Sequence, residues 1–74
     1  MQVKVRLIGV FQSNHFKENV AEYPDGSKVE EIVSGLQISP QALGVILING
    51  LHASIGDTLH DGDTLALLPL LGGG

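Results

Sequence analysis

Cysteine is absent from this chain, which excludes a disulfide staple and a thiolate metal site and leaves hydrophobic packing to supply the stability. Basic residues are few and scattered. Lys4, Arg6, Lys17 and Lys28 stand against 8 acidic residues, for a formal net charge of −4. Binding to a phosphate backbone rests on grouped lysine and arginine, so no nucleic acid is expected as a partner. Long apolar runs are missing too. The longest, Val45 to Ile48 and Leu65 to Leu68, fall far short of the ~18 residues that cross a bilayer, so no membrane is expected either. The first residues, Met1 to Arg6, alternate like a strand and lack the apolar stretch of a signal peptide. These absences predict a cytoplasmic protein. With 74 residues the chain makes one domain, able to bury only about 60% of its unfolded surface.

Recognisable catalytic arrangements are also lacking. Asp57, Asp61 and Asp63 lie near glycines, but their spacing has neither the ligand alternation nor the distal glutamate of a calcium loop. His15, His52 and His60 have no zinc-ligand spacing and no cysteine partners, so no metal site is expected. No serine or lysine sits in a nucleophile setting, and no carboxylates are paired across a cleft. The chain reads as a substrate of enzymes or a subunit of one, not as an enzyme by itself.

What is present is a clear succession of elements. Residues 3 to 10 (VKVRLIGV) alternate with period 2, as a half-buried strand does. A polar cluster at Gln12 to His15 precedes a weaker alternation from Phe16 to Tyr23, giving a hairpin. Pro24-Asp25-Gly26 is a turn. Ser27-Lys28-Val29-Glu30 then fits a capping box, and Val29, Ile32, Val33 and Leu36 form one apolar stripe of a helix. Gly35 suits its left-handed cap, and Ser39-Pro40 opens a single connecting turn. Val45 to Ile48 is apolar at every position, predicting a central strand covered on both sides, and ends in the hairpin dipeptide Asn49-Gly50. Leu51 to Ile55 reads as a short edge strand, and Leu59 pins the turn-rich connection from Gly56 to Asp63. Thr64 to Leu68 is the last strand, with Pro69 ending its pairing.

Strand, strand, helix, strand, short strand, strand is an α+β arrangement, most economically a β-grasp fold with a mixed four- to five-stranded sheet and one helix on one face. This predicts a β-grasp domain over 1–68 and a flexible C-terminal tail over 69–74. With the first and last strands adjacent at the centre, Val3, Val5, Leu7, Leu47, Leu65 and Leu67 would meet the helix. Ile8, Ile46, Ile48, Ala66 and Leu68 would then line the opposite face, an uncovered apolar docking surface.

The tail itself, Pro69-Leu70-Leu71-Gly72-Gly73-Gly74, ends in side-chain-free backbone. Glycines there add nothing to a core and carry the largest ordering entropy. Their physical use is close approach: Gly72 and Gly73 can thread a narrow channel and present the Gly74 carboxylate to a reagent at its far end.

Leu59-x-Asp61-Gly62-Asp63-x-Leu65-Ala66-Leu67-Leu68-Pro69 followed by terminal glycines resembles the ThiS/MoaD family of ubiquitin-like sulfur carriers, and looks most like the molybdopterin synthase small subunit. That family usually ends in two glycines, and its molybdopterin branch often has a second proline where this chain has Leu70. The resemblance implies a carrier whose Gly74 carboxylate is adenylated at the expense of ATP by an enzyme of the ubiquitin-activating type. A sulfurtransferase then supplies the sulfur of a thiocarboxylate, the carrier itself binding no cofactor. In the molybdopterin branch of molybdenum or tungsten cofactor synthesis the tail would enter the synthase large subunit. Ile8, Ile46, Ile48, Leu68, Leu70 and Leu71 are the expected partner contacts. A thiazole sulfur carrier for thiamine, and a ubiquitin-like modifier joined to target lysines, are the alternatives.

Overall fold

In a computed structural model, which describes residues 1–13 and 15–70, five strands form one mixed sheet in the order β2-β1-β5-β3-β4. β1 (Gln2–Leu7) pairs antiparallel with β2 (Glu18–Glu22) and parallel with β5 (Thr64–Pro69). β3 (Leu43–Ile48) pairs antiparallel with β5 and with the short edge strand β4 (Leu51–His52). The helix α1 (Val29–Gly35) covers one face, giving the expected β-grasp arrangement with the first and last strands adjacent. β3, however, lies off-centre and next to the edge, and β5 holds the middle.

The core forms where the period-2 stripes of β1 and β5 meet the helix stripe. Val3, Val5, Leu7, Leu65 and Leu67 are fully buried, as are Val29 and Val33, with Ile32 almost so. Phe11, Ile38 and Leu59 close the ends of this layer. β1 stops at Leu7, short of the expected Val10, because the chain turns at Gly9 (φ 63) into a 3₁₀ turn over Gly9–Gln12 that tucks Phe11 under the sheet. The Asn49-Gly50 turn is as expected, with both residues at positive φ. The Asn49 side chain also accepts from the Thr64 N–H at 2.9 Å and donates to Asp63 at 2.8 Å, fastening this turn to the start of β5.

Both ends of α1 differ from the sequence expectation. Ser27 does not cap the helix. Its hydroxyl donates to the Pro24 carbonyl at 2.7 Å, closing the preceding turn. The N-cap position passes to Lys28, whose N–H donates to the Glu31 carboxylate at 3.3 Å. Lysine has no acceptor to return, so only the glutamate half of a capping box exists. At the other end Gly35 remains helical, and Gln37 (φ 60) takes the left-handed position. Gln37 N–H donates to Ser34 and Ile38 N–H to Val33, at 2.9 and 3.1 Å, which is the bond pair of a Schellman cap. Ile38 and Val33, both buried, supply its apolar contact.

A β-carbon in the left-handed region is strained by roughly 1–2 kcal/mol. Gln37→Gly is therefore expected to stabilise the fold by about 1 kcal/mol. Urea unfolding should show a higher midpoint with an unchanged slope; a lower midpoint would mean that the Gln37 side chain contributes more than its backbone costs.

Candidate functional site

The site expected at the chain's end rests on three things: the strand that carries it, the place where it leaves the sheet, and the surface beside it. β5 runs further than predicted. Pro69 remains in the strand opposite Leu43, and the Leu70 N–H donates to the Ala42 carbonyl at 2.8 Å. On the β1 side the register ends at Leu7 opposite Leu67 and the Ile8 N–H still donates to the Leu67 carbonyl at 3.1 Å; the next bond of a parallel ladder would run from residue 69 to the Ile8 carbonyl, and Pro69 has no N–H to make it. A β-carbon added to Gly9 would lie 3.4 Å from Pro69 Cγ, so the proline ring sits against a bare stretch of backbone. The expectation that Pro69 ends the strand's pairing therefore holds toward β1 and is corrected toward the other neighbour, where Pro69 lies opposite Leu43 and the Leu70 N–H is still bonded to Ala42.

β3 accommodates this with a bulge. Its register slips between Leu43 and Val45, leaving Gly44 as the extra residue. A β-carbon on Gly44 would fall 2.7 Å from the Pro69 carbonyl oxygen, 2.9 Å from Leu70 Cα and 3.0 Å from Leu70 N. All three are backbone atoms, so no side-chain rotation could relieve the contact. Ala42 belongs to the 3₁₀ turn Pro40–Ala42, so the turn predicted at Ser39-Pro40 supplies the carbonyl that holds Leu70. Leu70 itself is 62% exposed.

The bulge and the pairing reset the faces of β3. Leu65 lies opposite Ile48 and Leu67 opposite Ile46, and directly paired residues share a face. Ile46 and Ile48 therefore point to the helix side, packed on the core, which corrects their expected place on the open face. Leu47, expected under the helix, lies opposite Ala66 on the open side. The expectation was out of phase by one residue, and a slip of one exchanges the faces completely. The open face carries Val45, Leu47, Ala66 and half-buried Leu68, with Ile8 alternating onto it just past β1. Lys4 and Arg6 border it, both reaching Glu18 on β2, at 3.8 and 3.5 Å. His52, opposite Leu47 and exposed, borders the other side. The face is thus an apolar lane with Lys4, Arg6 and Glu18 along one edge and His52 along the other, beside Leu70.

Of the predicted site residues, Ile8, Leu68 and Leu70 come together, while Ile46 and Ile48 do not join them. Leu71, Gly72, Gly73 and Gly74 lie outside the described residues. Val45, Leu47 and Gly44 were missed. An isolated glycine inside the apolar run from Leu43 to Ile48 was the available signal for a bulge. The aspartates act as turn acceptors: Asp57 takes the Ser54 N–H, Asp61 the Gln2 N–H and Asp63 the His60 N–H, at 2.8, 2.7 and 2.8 Å. Among the described residues no group of three or more His, Cys, Asp or Glu side chains is placed to hold a metal, and no helix is long and apolar enough to cross a membrane.

A model described as the ThiS family matches residues 5–74. No curated protein matches the chain. Among solved structures, a putative molybdopterin converting factor subunit 1 from Pyrococcus furiosus is 23% identical, with a TM-score of 0.77 over 93% of this chain and 97% of its own. Small archaeal modifier protein 1 of H. volcanii is 16% identical, with a TM-score of 0.74 over 92% of this chain and 95% of its own. A complex of subunits 1 and 2 of the molybdopterin-converting factor from Helicobacter pylori contains a chain 24% identical, with a TM-score of 0.67 over 100% of both. At these identities the likeness is one of fold.

The phase of β3 is open to a direct check. Ile46→Ala, which opens the core, is expected to cost about 2 kcal/mol, and Leu47→Ala on the open face about 1 kcal/mol or less. Chemical unfolding of the two variants measures both, and a larger loss at Leu47 would reverse the assignment of faces.

Proposed function

The chain belongs to the ThiS family, whose model spans residues 5–74, and on that premise we propose that it is a cytoplasmic sulfur carrier acting through a thiocarboxylate at Gly74. A carboxylate is a poor electrophile until one oxygen becomes a leaving group. An adenylating enzyme of the ubiquitin-activating type would join the Gly74 carboxylate to the AMP portion of ATP, releasing pyrophosphate. The persulfide of a sulfurtransferase would then displace AMP to give an acyl disulfide, and attack of a second thiol on the sulfurtransferase's own sulfur would release the Gly74 thiocarboxylate and leave a disulfide on the donor side. The chain has no cysteine, so the terminus is the one place for carried sulfur, and no catalytic group or cofactor of its own is needed.

The observation that carries this reading is the delivery of the chain's end by the central strand β5, with Leu70 leaving beside an uncovered apolar lane. In this proposal Val45, Leu47, Ala66 and Leu68, with Ile8 and Leu70, dock the activating enzyme and afterwards the large subunit of a molybdopterin synthase. A fold relative that is a complex of subunits 1 and 2 of a molybdopterin-converting factor supports the second partner. Gly72 and Gly73 thread its channel, and Leu71 adds an apolar contact at the entrance. A second reading is favoured by the fold shared with a small archaeal modifier protein: the same activated carboxylate could end as an isopeptide on a target lysine.

Incubation with ATP, the adenylating enzyme and a sulfur source should raise the intact mass by the difference between sulfur and oxygen. Deleting Gly73 and Gly74 should abolish that gain while leaving thermal unfolding unchanged. Failure of the full chain to gain mass with its cognate enzyme would sink the carrier reading. Higher-mass species that persist in thiol reductants, appearing in cell extract with ATP, would favour the modifier reading.

On the docking surface, Leu68→Glu should lower transfer to the partner at least tenfold, the loss expected from a central interface anchor. Its circular dichroism should match the native chain. Undiminished transfer would move the docking surface elsewhere.

A further inference from the structure

We propose that Gly44 is a positioning residue: a notch in the β3 bulge that lets the Pro69–Leu70 backbone lie against the sheet and so fixes where the reactive tail starts. The inference rests on the carrier reading above and adds to it a residue remote in sequence from the reactive end.

The geometry is specific. A Gly44 β-carbon would meet the Pro69 carbonyl oxygen at 2.7 Å and Leu70 Cα at 2.9 Å, both closer than real β-carbons approach backbone. Gly44 does not need glycine for its φ, since it is not among the residues at positive φ; what it provides is space. Two further contacts act on the same short segment. The Leu70 N–H donates to the Ala42 carbonyl at 2.8 Å, and the Pro69 ring lies over Gly9, whose added β-carbon would stand 3.4 Å from Cγ. Backbone from three separate places thus surrounds Pro69 and Leu70: the turn after β1, the turn before β3, and the bulge within β3. Pairing to β3 carries the strand to Pro69 opposite Leu43, while the β1 register has already ended at Leu67.

The consequence for function is one of reach and order. Residues 71–74 can span at most about 14 Å when fully extended, so an anchor at Leu70 confines the carboxylate to a small volume around the exit. Releasing Pro69 and Leu70 adds their backbone freedom to what must be removed whenever the terminus enters an active site. Docking through Ile8, Val45, Leu47, Ala66 and Leu68 would be kept, with only the exposed Leu70 contact at its border loosened, but a smaller share of docked molecules would present the carboxylate correctly. A positioning role therefore predicts a loss in turnover with little change in the half-saturating concentration of carrier.

Gly44→Ala tests this in the intact chain. Amide hydrogen exchange should show the Leu70 N–H protected in the native protein and unprotected in the variant, with the core amides of β1 and β5 unchanged. With the cognate adenylating enzyme, ATP–pyrophosphate exchange should show kcat lowered about tenfold and KM for the carrier within about twofold. A second molecule removes the donor without touching β3: a chain made by chemical synthesis with an ester in place of the Pro69–Leu70 amide. It should reproduce the kcat loss, and it decides the matter if Gly44→Ala fails to fold. Native kcat in the folded variants, a loss confined to KM, or an unprotected Leu70 amide in the native protein would overturn the inference while leaving the carrier reading in place. An unmodified chain that is not adenylated at all would overturn the carrier reading, and the positioning role with it.

Discussion

The parallel pairing of β1 with β5 is the constraint on which the rest of the molecule depends. Val5 lies beside Leu65 and Leu7 beside Leu67, all fully buried, and these strands come from opposite ends of the chain. Their ladder closes the longest loop in the protein, so its entropic cost is recovered only when the elements between them add their own contacts. The helix stripe, Phe11 and Leu59 supply those contacts by sealing one face. With β5 thereby in the middle of the sheet, its end cannot fray without breaking pairing to β3, and Leu70 leaves the sheet from its centre instead of from an edge.

Much of this was legible in the sequence, for identifiable reasons. The alternation of Val3, Val5 and Leu7 against Lys4 and Arg6 has one sensible phase, and so has the stripe Val29, Ile32, Val33 and Leu36. Val45 to Ile48 has none. Every position is apolar, so nothing in the run says which residues face the helix, and the phase is set instead by the ladder to β5 and the bulge at Gly44. The helix ends were misread because local bonds competed. Ser27 is a good cap by type, but the Pro24 carbonyl takes its hydroxyl, and Gly35 is a good stop by type, but the chain continues until Ile38 can return to the core. The family resemblance carried by the segment from Leu59 to the terminal glycines was legible, and the ThiS-family match over residues 5–74 agrees with it. The anchoring of the tail was not, because the partners of Pro69 and Leu70, at Gly9, Ala42 and Gly44, are distant in sequence.

The open face comes from the same economy. One short helix can cover one side of a sheet, and the other side keeps Val45, Leu47, Ala66 and Leu68 in contact with water. Such a lane is tolerated in a small domain when charged neighbours limit its self-association. Lys4, Arg6 and Glu18 do this along β1 and β2, in exposed pairs worth little to stability. In the proposed docking they would be borders that give a partner electrostatic direction more than braces for the fold.

In the carrier reading proposed above, a terminus that enters another protein's active site would face opposed demands. It has to be narrow and compliant at its tip, which glycine provides, yet every compliant residue adds about 1–2 kcal/mol of backbone ordering when the tip is finally held. Glycine raises that cost further, being the residue with most freedom to lose. The economical solution is to order the chain as close to the glycines as the fold permits, and to do so before any partner arrives. Pairing Leu70 to Ala42 and laying the Pro69–Leu70 peptide across a residue without a β-carbon orders that segment within the free protein, where the contacts that hold it also belong to the sheet. In that reading the bulge in β3, which by itself only interrupts a ladder, would join the stability of the fold to the delivery of its end.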